Sequence, residues 1–216
     1  MILSVDLGQA SDYTAISVIK AHVSGLLEVV HLERYPLGMS YPDQVEKIIQ
    51  LFEKLKSSDP QPSHPGGASI QDKQNKLVVD KTGVGRAVVD LLHDLRPIAI
   101  TITGGNEVTK EGLNWNVPKR DLIHNLVVLF QAGKIKIARS LPVADVLIKE
   151  LLNFKLKVNI STGHDSYEAW REGIHDDLVL SVAMGAFIVP KKSSGFPVSG
   201  YTRASYPANT SHLMRI

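Results

Sequence analysis

Near its C-terminal end the chain carries two adjacent aspartates, Asp176 and Asp177, directly ahead of the apolar run 178–188. The run is apolar almost all round, with Ser181, Ala183, Gly185 and Ala186 interspersed as small residues. A helix without a polar face has to be buried, and small residues let it lie close against a sheet. The stretch therefore predicts a layered α/β fold with this helix inside it. Asp176 and Asp177 would stand at its N-terminus, where unsatisfied N–H groups and the macrodipole favour anions. One aspartate is enough for a cap. A second, at the rim of a buried element, adds repulsion unless a cation relieves it.

The rest of the composition narrows the setting. At 216 residues, 44% hydrophobic and 21% charged, the chain has material for one full core. It contains no cysteine, which excludes disulfides and thiolate metal sites. No apolar run reaches the length of a membrane span, and residues 1–6 lack the basic region of a secretory signal. A location inside the cell fits both features. The net charge of +2 is unevenly placed. Residues 1–108 hold 10 Lys+Arg against 13 Asp+Glu, a net of −3, and residues 109–216 hold 14 against 9, a net of +5. Cations for phosphates beside carboxylates for a metal is a distribution that suits a nucleic-acid enzyme.

In chain order, 2–6 is a short apolar β-type run that ends in Asp6, with Gly8 after it. Residues 12–19 and 26–35 read as two further strands turned at Gly25. A helix follows over 41–56, with Val45, Ile48, Ile49, Phe52 and Leu55 on one face and Pro42 in its first turn. Residues 57–75 are rich in Pro, Ser, Gly and Gln and read as a mobile loop, in which His64 is solvated. Residues 76–80 form a second apolar strand ending in an acid, Asp80; 81–86 turn, and 87–95 form a helix. A strand over 97–103, a polar loop over 104–116, a helix from 117 to 131, a strand over 134–138 and a helix over 142–152 come next. Residues 154–160 and 165–170, around Ser161-Thr162-Gly163, read as an added β-hairpin. The domain is predicted to end near 189, leaving 190–216 as a poorly ordered tail.

Three distant segments thus present acids at comparable positions. If the strands ending in Asp6 and Asp80 are parallel neighbours, their carboxylates face each other, which is unfavourable without a divalent ion and favourable with one or two. Oxygen-only ligation suits Mg²⁺ or Mn²⁺ and not zinc. Two such ions about 3.5–4 Å apart serve phosphodiester hydrolysis, one side activating water and the other stabilising the leaving oxygen.

The order of strand and acid, hairpin, helix, strand and acid, then acid-headed helix resembles the ribonuclease H-like nucleases, with a mixed central sheet flanked by helices. More closely, Asp6-Leu7-Gly8-Gln9-Ala10-Ser11-Asp12-Tyr13-Thr14-Ala15, Val79-Asp80-Lys81-Thr82-Gly83-Val84-Gly85 and His175-Asp176-Asp177-Leu178-Val179-Leu180 resemble the nuclease domain of the large terminase subunit of tailed bacteriophages. Val117-Pro118-Lys119-Arg120 and Ser166-Tyr167-Glu168-Ala169-Trp170-Arg171 add to the likeness, which runs over about 1–189. The resemblance implies an endonuclease that cuts concatemeric viral DNA during packaging in the cytoplasm of the infected host cell. It implies Asp6, Asp80 and Asp177 as metal ligands, Asp176 as a fourth, and Mg²⁺ or Mn²⁺, two ions during catalysis. Its partners would be double-stranded DNA, a packaging ATPase domain, the portal and the small terminase subunit. No GxxxxGK[ST] motif occurs, so the chain corresponds to the nuclease part.

Lys119, Arg120, Lys155, Lys157 and Arg171 are the candidates for DNA backbone contacts, with Lys155 and Lys157 alternating along one face of the proposed hairpin. Exposed helix-tip and edge-strand cations are the plain alternative for them. Tyr167 and Trp170 read as packing residues, His175 as structural or as an aid to water activation, and Asp12 as a turn residue outside the site. Two rival functions share these motifs. Asp6-Leu7-Gly8 ahead of a hairpin also resembles the first phosphate loop of actin-like kinases and ATPases, and a non-catalytic nucleic-acid-binding module would keep the same fold. No base-reading element is visible, so binding to DNA is expected to be independent of sequence.

Overall fold

The computed structural model describes residues 1–8, 12–58, 75–160 and 175–190, with the side chains of 154–160 excepted. One eight-stranded sheet carries the fold, in the order β6-β7-β5-β4-β1-β2-β3-β8. Its strands are β1 (Ile2–Asp6), β2 (Ala15–Ala21), β3 (Leu27–Arg34), β4 (Lys76–Asp80), β5 (Ile98–Thr103), β6 (Thr109–Glu111), β7 (Asn114–Pro118) and β8 (Ile135–Ile137). β1 is antiparallel to β2 and parallel to β4, β4 is parallel to β5, and β5 to β7. β3 is antiparallel to β2 and parallel to β8, and β6 is antiparallel to β7. All the strands except β2 and β6 therefore point their C-terminal ends toward one edge. Helices α1 (Tyr41–Ser58) and α2 (Gly85–Leu91) cover one face; α3 (Lys119–Gln131), α4 (Ala144–Ile160) and α5 (Asp177–Phe187) belong to the other. This is the expected α/β arrangement, a mixed sheet flanked by helices.

The period of two along each strand decides where the acids go. In β1, Leu3 and Val5 join the core under α1 and α2, whereas Ile2 joins the core under α5. In β4, Leu77 and Val79 lie with α1, and Val78 lies with α5. Asp6 and Asp80 continue the even-numbered set and so face the α5 layer. The register of β1 on β4 pairs Ser4 with Val78 and Val5 with Val79, which brings the two acids to the same level one residue later. Gly8 and Gly85 then let the chain double back: a Cβ on Gly8 would lie 2.1 Å from the Asp12 carbonyl oxygen, and one on Gly85 2.0 Å from that of Asp80.

β3 breaks the same rule in a useful way. Its pairing with β2 slips between Val18 and Ile19, leaving Val30 as the extra residue of a bulge. Leu27 and Val29 face α5 before the bulge, Leu32 faces it afterwards, and Tyr35 turns to the α1 side. Arg34, two residues beyond Leu32, is thereby aimed at the α5 layer; an unbulged strand would send it to the opposite face.

α5 lies close on β1 and β2 because small residues meet at the contact. The Ser181 hydroxyl lies 2.9 Å from both the Ser4 carbonyl oxygen and the Ser17 hydroxyl. A Cβ on Gly185 would sit 2.9 Å from Ile19 Cδ1 and 3.0 Å from Ser4 Cβ. Leu178, Val179, Val182, Ala183 and Met184 fill the rest of the interface, all buried.

Three readings of the sequence need correction. Residues 154–160 are not the first arm of a hairpin but the end of α4, because no glycine or proline interrupts the helical pattern there. Lys155 and Lys157 thus do not alternate on a strand, and the proposed second arm, with Tyr167, Trp170 and Arg171, lies outside the described residues. The polar stretch 104–116 instead contains the hairpin of β6 and β7, turned at Gly112 with φ +59°. Val117 and Pro118 close β7, so α3 begins at Lys119. His64 and the tail 191–216 also lie outside the described residues. Among those residues no helix is long and apolar enough to cross a membrane.

Gly185→Val is expected to destabilise the protein by about 1–3 kcal/mol through overpacking of this contact. Urea unfolding of the variant beside the wild type reads the difference, and an unchanged midpoint would show that α5 has room to shift.

Candidate metal centre

At the C-terminal edge of the sheet, Asp6 ends β1, Asp80 ends β4, and the N-terminus of α5 brings Asp176 and Asp177 over them. Asp6, Asp80 and Asp177 are buried, at 6%, 7% and 7% exposure, a level at which carboxylates are seldom found unpaired. Asp6 and Asp80 end neighbouring strands, close enough for the charge of Asp80 to act on Asp6. Burial pushes the Asp6 carboxyl well above its ordinary range, and the charges of Asp80, Asp177 and Asp176 push it further, against the pull of Lys119. Burial also raises Asp80, opposed by hydrogen bonds from Thr82. Both the Thr82 amide, at 2.8 Å, and its hydroxyl, at 2.6 Å, donate to Asp80 Oδ1. The Thr82 hydroxyl is itself held by the Ile102 amide at 3.0 Å. One Asp80 oxygen is thus anchored to backbone structure while the carboxyl stays beside Asp6.

Asp177 stands between this pair and a second set of donors. Among the described residues, the ligating atoms of Asp12, His175 and Asp177 all lie within 4.8 Å of one another. His175 Nδ1 is 3.9 Å from Asp12 Oδ1 and 3.8 Å from Asp177 Oδ2. Asp12, set aside from the sequence as a turn residue, therefore reaches the site; its spacing of six residues after Asp6 was the available signal. His175 packs edge-on against Tyr13, with ring centroids 5.4 Å apart.

Two functional neighbours were not singled out from the sequence. Arg34 Nη2 donates to Glu150 Oε1 and, at 3.4 Å, to Asp177 Oδ2, and its guanidinium lies 4.7 Å from the Tyr13 ring centroid. Glu150 Oε2 accepts the Val179 amide at 3.0 Å, satisfying one of the open N–H groups of the first turn of α5. Glu150 falls in the buried row of α4 after Ala144 and Leu147, and an acid in an apolar helical row was its signal. Burial pushes Glu150 from its ordinary 4.5 to about 7, against the Val179 amide and Arg34. Burial likewise raises Asp177 from 3.8 to about 6, opposed chiefly by Arg34.

The expected DNA-contacting cations divide. Lys119 Nζ is bonded to Asp176 Oδ2 at 2.6 Å, so it belongs to the acid cluster. Arg120 donates to the Asn106 side chain at 2.7 Å and its carbonyl at 3.0 Å, and lies 3.5 Å from Asp121, tying down the loop before β6. Lys155 and Lys157 lie in α4 without described side chains, and Arg171 is outside the described residues.

The donor set fits a hard divalent cation. Two neighbouring buried carboxylates repel each other and a cation relieves them, and the surrounding donors are oxygens with a single imidazole. Among the described residues the ligand atoms that converge within 4.8 Å belong to Asp12, His175 and Asp177; of the four aspartates expected as ligands this group takes in Asp177, and Asp6, Asp80 and Asp176 lie outside it.

Solved structures share this fold. The large terminase nuclease of thermophilic phage G20c is 21% identical over 88% of this chain and 82% of that one, with a TM-score of 0.52. The human cytomegalovirus terminase nuclease domain, Mn soaked and inhibitor bound, is 14% identical over 88% and 83%, with a TM-score of 0.53. A second structure of that domain is 13% identical over the same shares, at 0.51. No protein-family model and no curated protein matches the sequence.

The raised carboxyls set the sign of a pH effect. Asp177 and Glu150 bind protons more tightly folded than unfolded, so the metal-free fold loses stability as pH rises from about 4 through about 7. Metal-free protein is expected to melt at a higher temperature at pH 5 than at pH 8. Millimolar Mn²⁺ should restore the melting temperature at pH 8 by binding the folded state. Differential scanning fluorimetry with and without chelator checks both, and a higher melting temperature at pH 8 without metal would contradict the expectation.

Proposed function

We propose that the chain is a metal-dependent DNA endonuclease that cuts phosphodiester bonds of concatemeric viral DNA during genome packaging. The observation that carries this reading is the burial of Asp6 and Asp80 side by side at the ends of adjacent parallel strands, with Asp177 buried at the N-terminus of the helix that covers them. Shared fold with terminase nuclease domains supports it, as does the Mn-soaked state of one of them.

In this reading Asp6, Asp80 and Asp177 hold one or two Mg²⁺ or Mn²⁺ ions, Asp176 completes the set, and Asp12 and His175 extend it. Bound there, the ions supply a water activated near neutral pH and positive charge opposite the phosphate. The reaction adds water across one P–O bond, leaving a phosphate on one strand end and a hydroxyl on the other. The chain's own residues prepare the place. Thr82 fixes the Asp80 carboxyl in one orientation. Lys119 pairs with Asp176 and puts a cation beside the cluster, where a DNA phosphate would arrive. His175, exposed beside Asp12 and Asp177, offers its imidazole at the edge of the cluster. Double-stranded DNA would be held by its backbone without regard to sequence. The packaging ATPase domain, portal and small terminase subunit are the partners this reading brings with it.

Supercoiled plasmid should be nicked and linearised in Mn²⁺, and chelator should stop it. Asp80→Ala should cut at least about 100-fold more slowly, the scale on which removing one electrostatic partner of a transition state is felt. Gel assays over time read this. Absence of cutting in both Mg²⁺ and Mn²⁺ would defeat the proposal: ATP hydrolysis in its place would favour an actin-like ATPase, and DNA retention without any reaction a binding module.

A further inference from the structure

Glu150 is buried and Arg34 partly buried beside the acids, yet neither ligates anything in the proposed reaction. Arg34 Nη2 has two acceptors, a close one in Glu150 Oε1 and a long one, at 3.4 Å, in Asp177 Oδ2. Its Nε is buried without a hydrogen-bond partner, and the Tyr13 ring lies 4.7 Å from the guanidinium carbon. Glu150 is held from its other side by the Val179 amide, which Oε2 accepts at 3.0 Å. So the acid that takes the guanidinium is itself fixed to the first turn of α5, the helix that carries Asp177. An arginine and a divalent ion both seek the oxygens of Asp177, and a closer bond to the arginine weakens the hold of that carboxylate on the ion.

We infer that Glu150 is a positioning residue. By taking the guanidinium of Arg34, it keeps Arg34 from closing on Asp177 and leaves that carboxylate available to a divalent ion. The inference rests on the metal-dependent reading above. Without the charge of Glu150, Arg34 moves onto Asp177 and competes with the ion. Without Arg34 there is no competitor, and the charge of Glu150 is no longer needed for metal binding. A pair that merely scaffolds α5 behaves differently: loss of either member weakens the centre, and loss of both weakens it most.

Calorimetric titration of the metal-free full chain with Mn²⁺ separates these, with plasmid nicking measured alongside and circular dichroism reporting the fold of each variant. Glu150→Gln retains an acceptor for the Val179 amide and should bind Mn²⁺ about tenfold more weakly than wild type, the worth of one charge-assisted bond. Arg34→Met and the double variant Arg34→Met/Glu150→Gln should both bind within about threefold of wild type. Wild-type affinity in Glu150→Gln overturns the inference, as does a double variant that binds no more tightly than Glu150→Gln. Should Glu150→Gln not fold, Arg34→Met decides alone, and a loss of more than about threefold there overturns it. Wild type that binds Mn²⁺ and nicks DNA while the variants fail these expectations removes only the positioning role. Wild type that does neither removes the metal-dependent reading and this inference with it.

Discussion

Two neighbouring carboxyls inside a protein are unfavourable, and the structure keeps Asp6 beside Asp80 all the same. Their strands are parallel and in register, and both acids lie on the face covered by α5. Neither can turn away without leaving its strand. The neighbouring groups answer that constraint in turn: Thr82 donates twice to Asp80, Lys119 pairs with Asp176, and Arg34 lies between Asp177 and Glu150. Each compensates part of the negative charge, yet burial and mutual repulsion still leave Asp6 raised well above its ordinary range. That residual strain is the chemical reason to look for a divalent ion here.

The layers around the acids serve placement. Leu3, Val5, Leu77 and Val79 anchor the strands on α1 and α2, so that the alternate residues are committed to α5. Ser4, Ser17, Ser181 and Gly185 allow that helix to approach the strands closely. A bulkier contact would lift the helix and carry Asp177 away from the strand ends. Packing at one end of α5 and electrostatics at the other are therefore one problem.

Much of this was legible in the chain itself. Apolar runs that end in an acid named Asp6 and Asp80, and the acid-headed apolar helix named Asp176 and Asp177, because strand parity and helix burial are local patterns. Arg34 was hidden by the bulge at Val30, which shifts the alternation along β3 and cannot be seen without the partner strand. Glu150 was hidden because its role is set by Val179 and Arg34, which are distant in sequence. Asp12 looked like turn chemistry because short polar loops usually are. The misplaced hairpin has the same root: alternating Lys and apolar residues over 154–158 satisfy a strand pattern and an amphipathic helix alike, and the uninterrupted α4 settles it. The hairpin of β6 and β7 lay in a stretch too polar to read as strand, held at the sheet edge by backbone bonds to β5.

The components of the centre come from segments far apart in the sequence. Asp6 is synthesised before Arg34 and Glu150, and the helix that covers it after them. Contacts of such high sequence separation form late and slowly in folding. Until α5 docks, the acids at the ends of β1 and β4 stay open to water, where their repulsion is weak and a cation has little to hold it. The nascent chain is thus without a centre until α5 closes on the sheet. A fold wired in this way ties any activity at the acids to completion of the whole layer, with timing supplied by the order of synthesis.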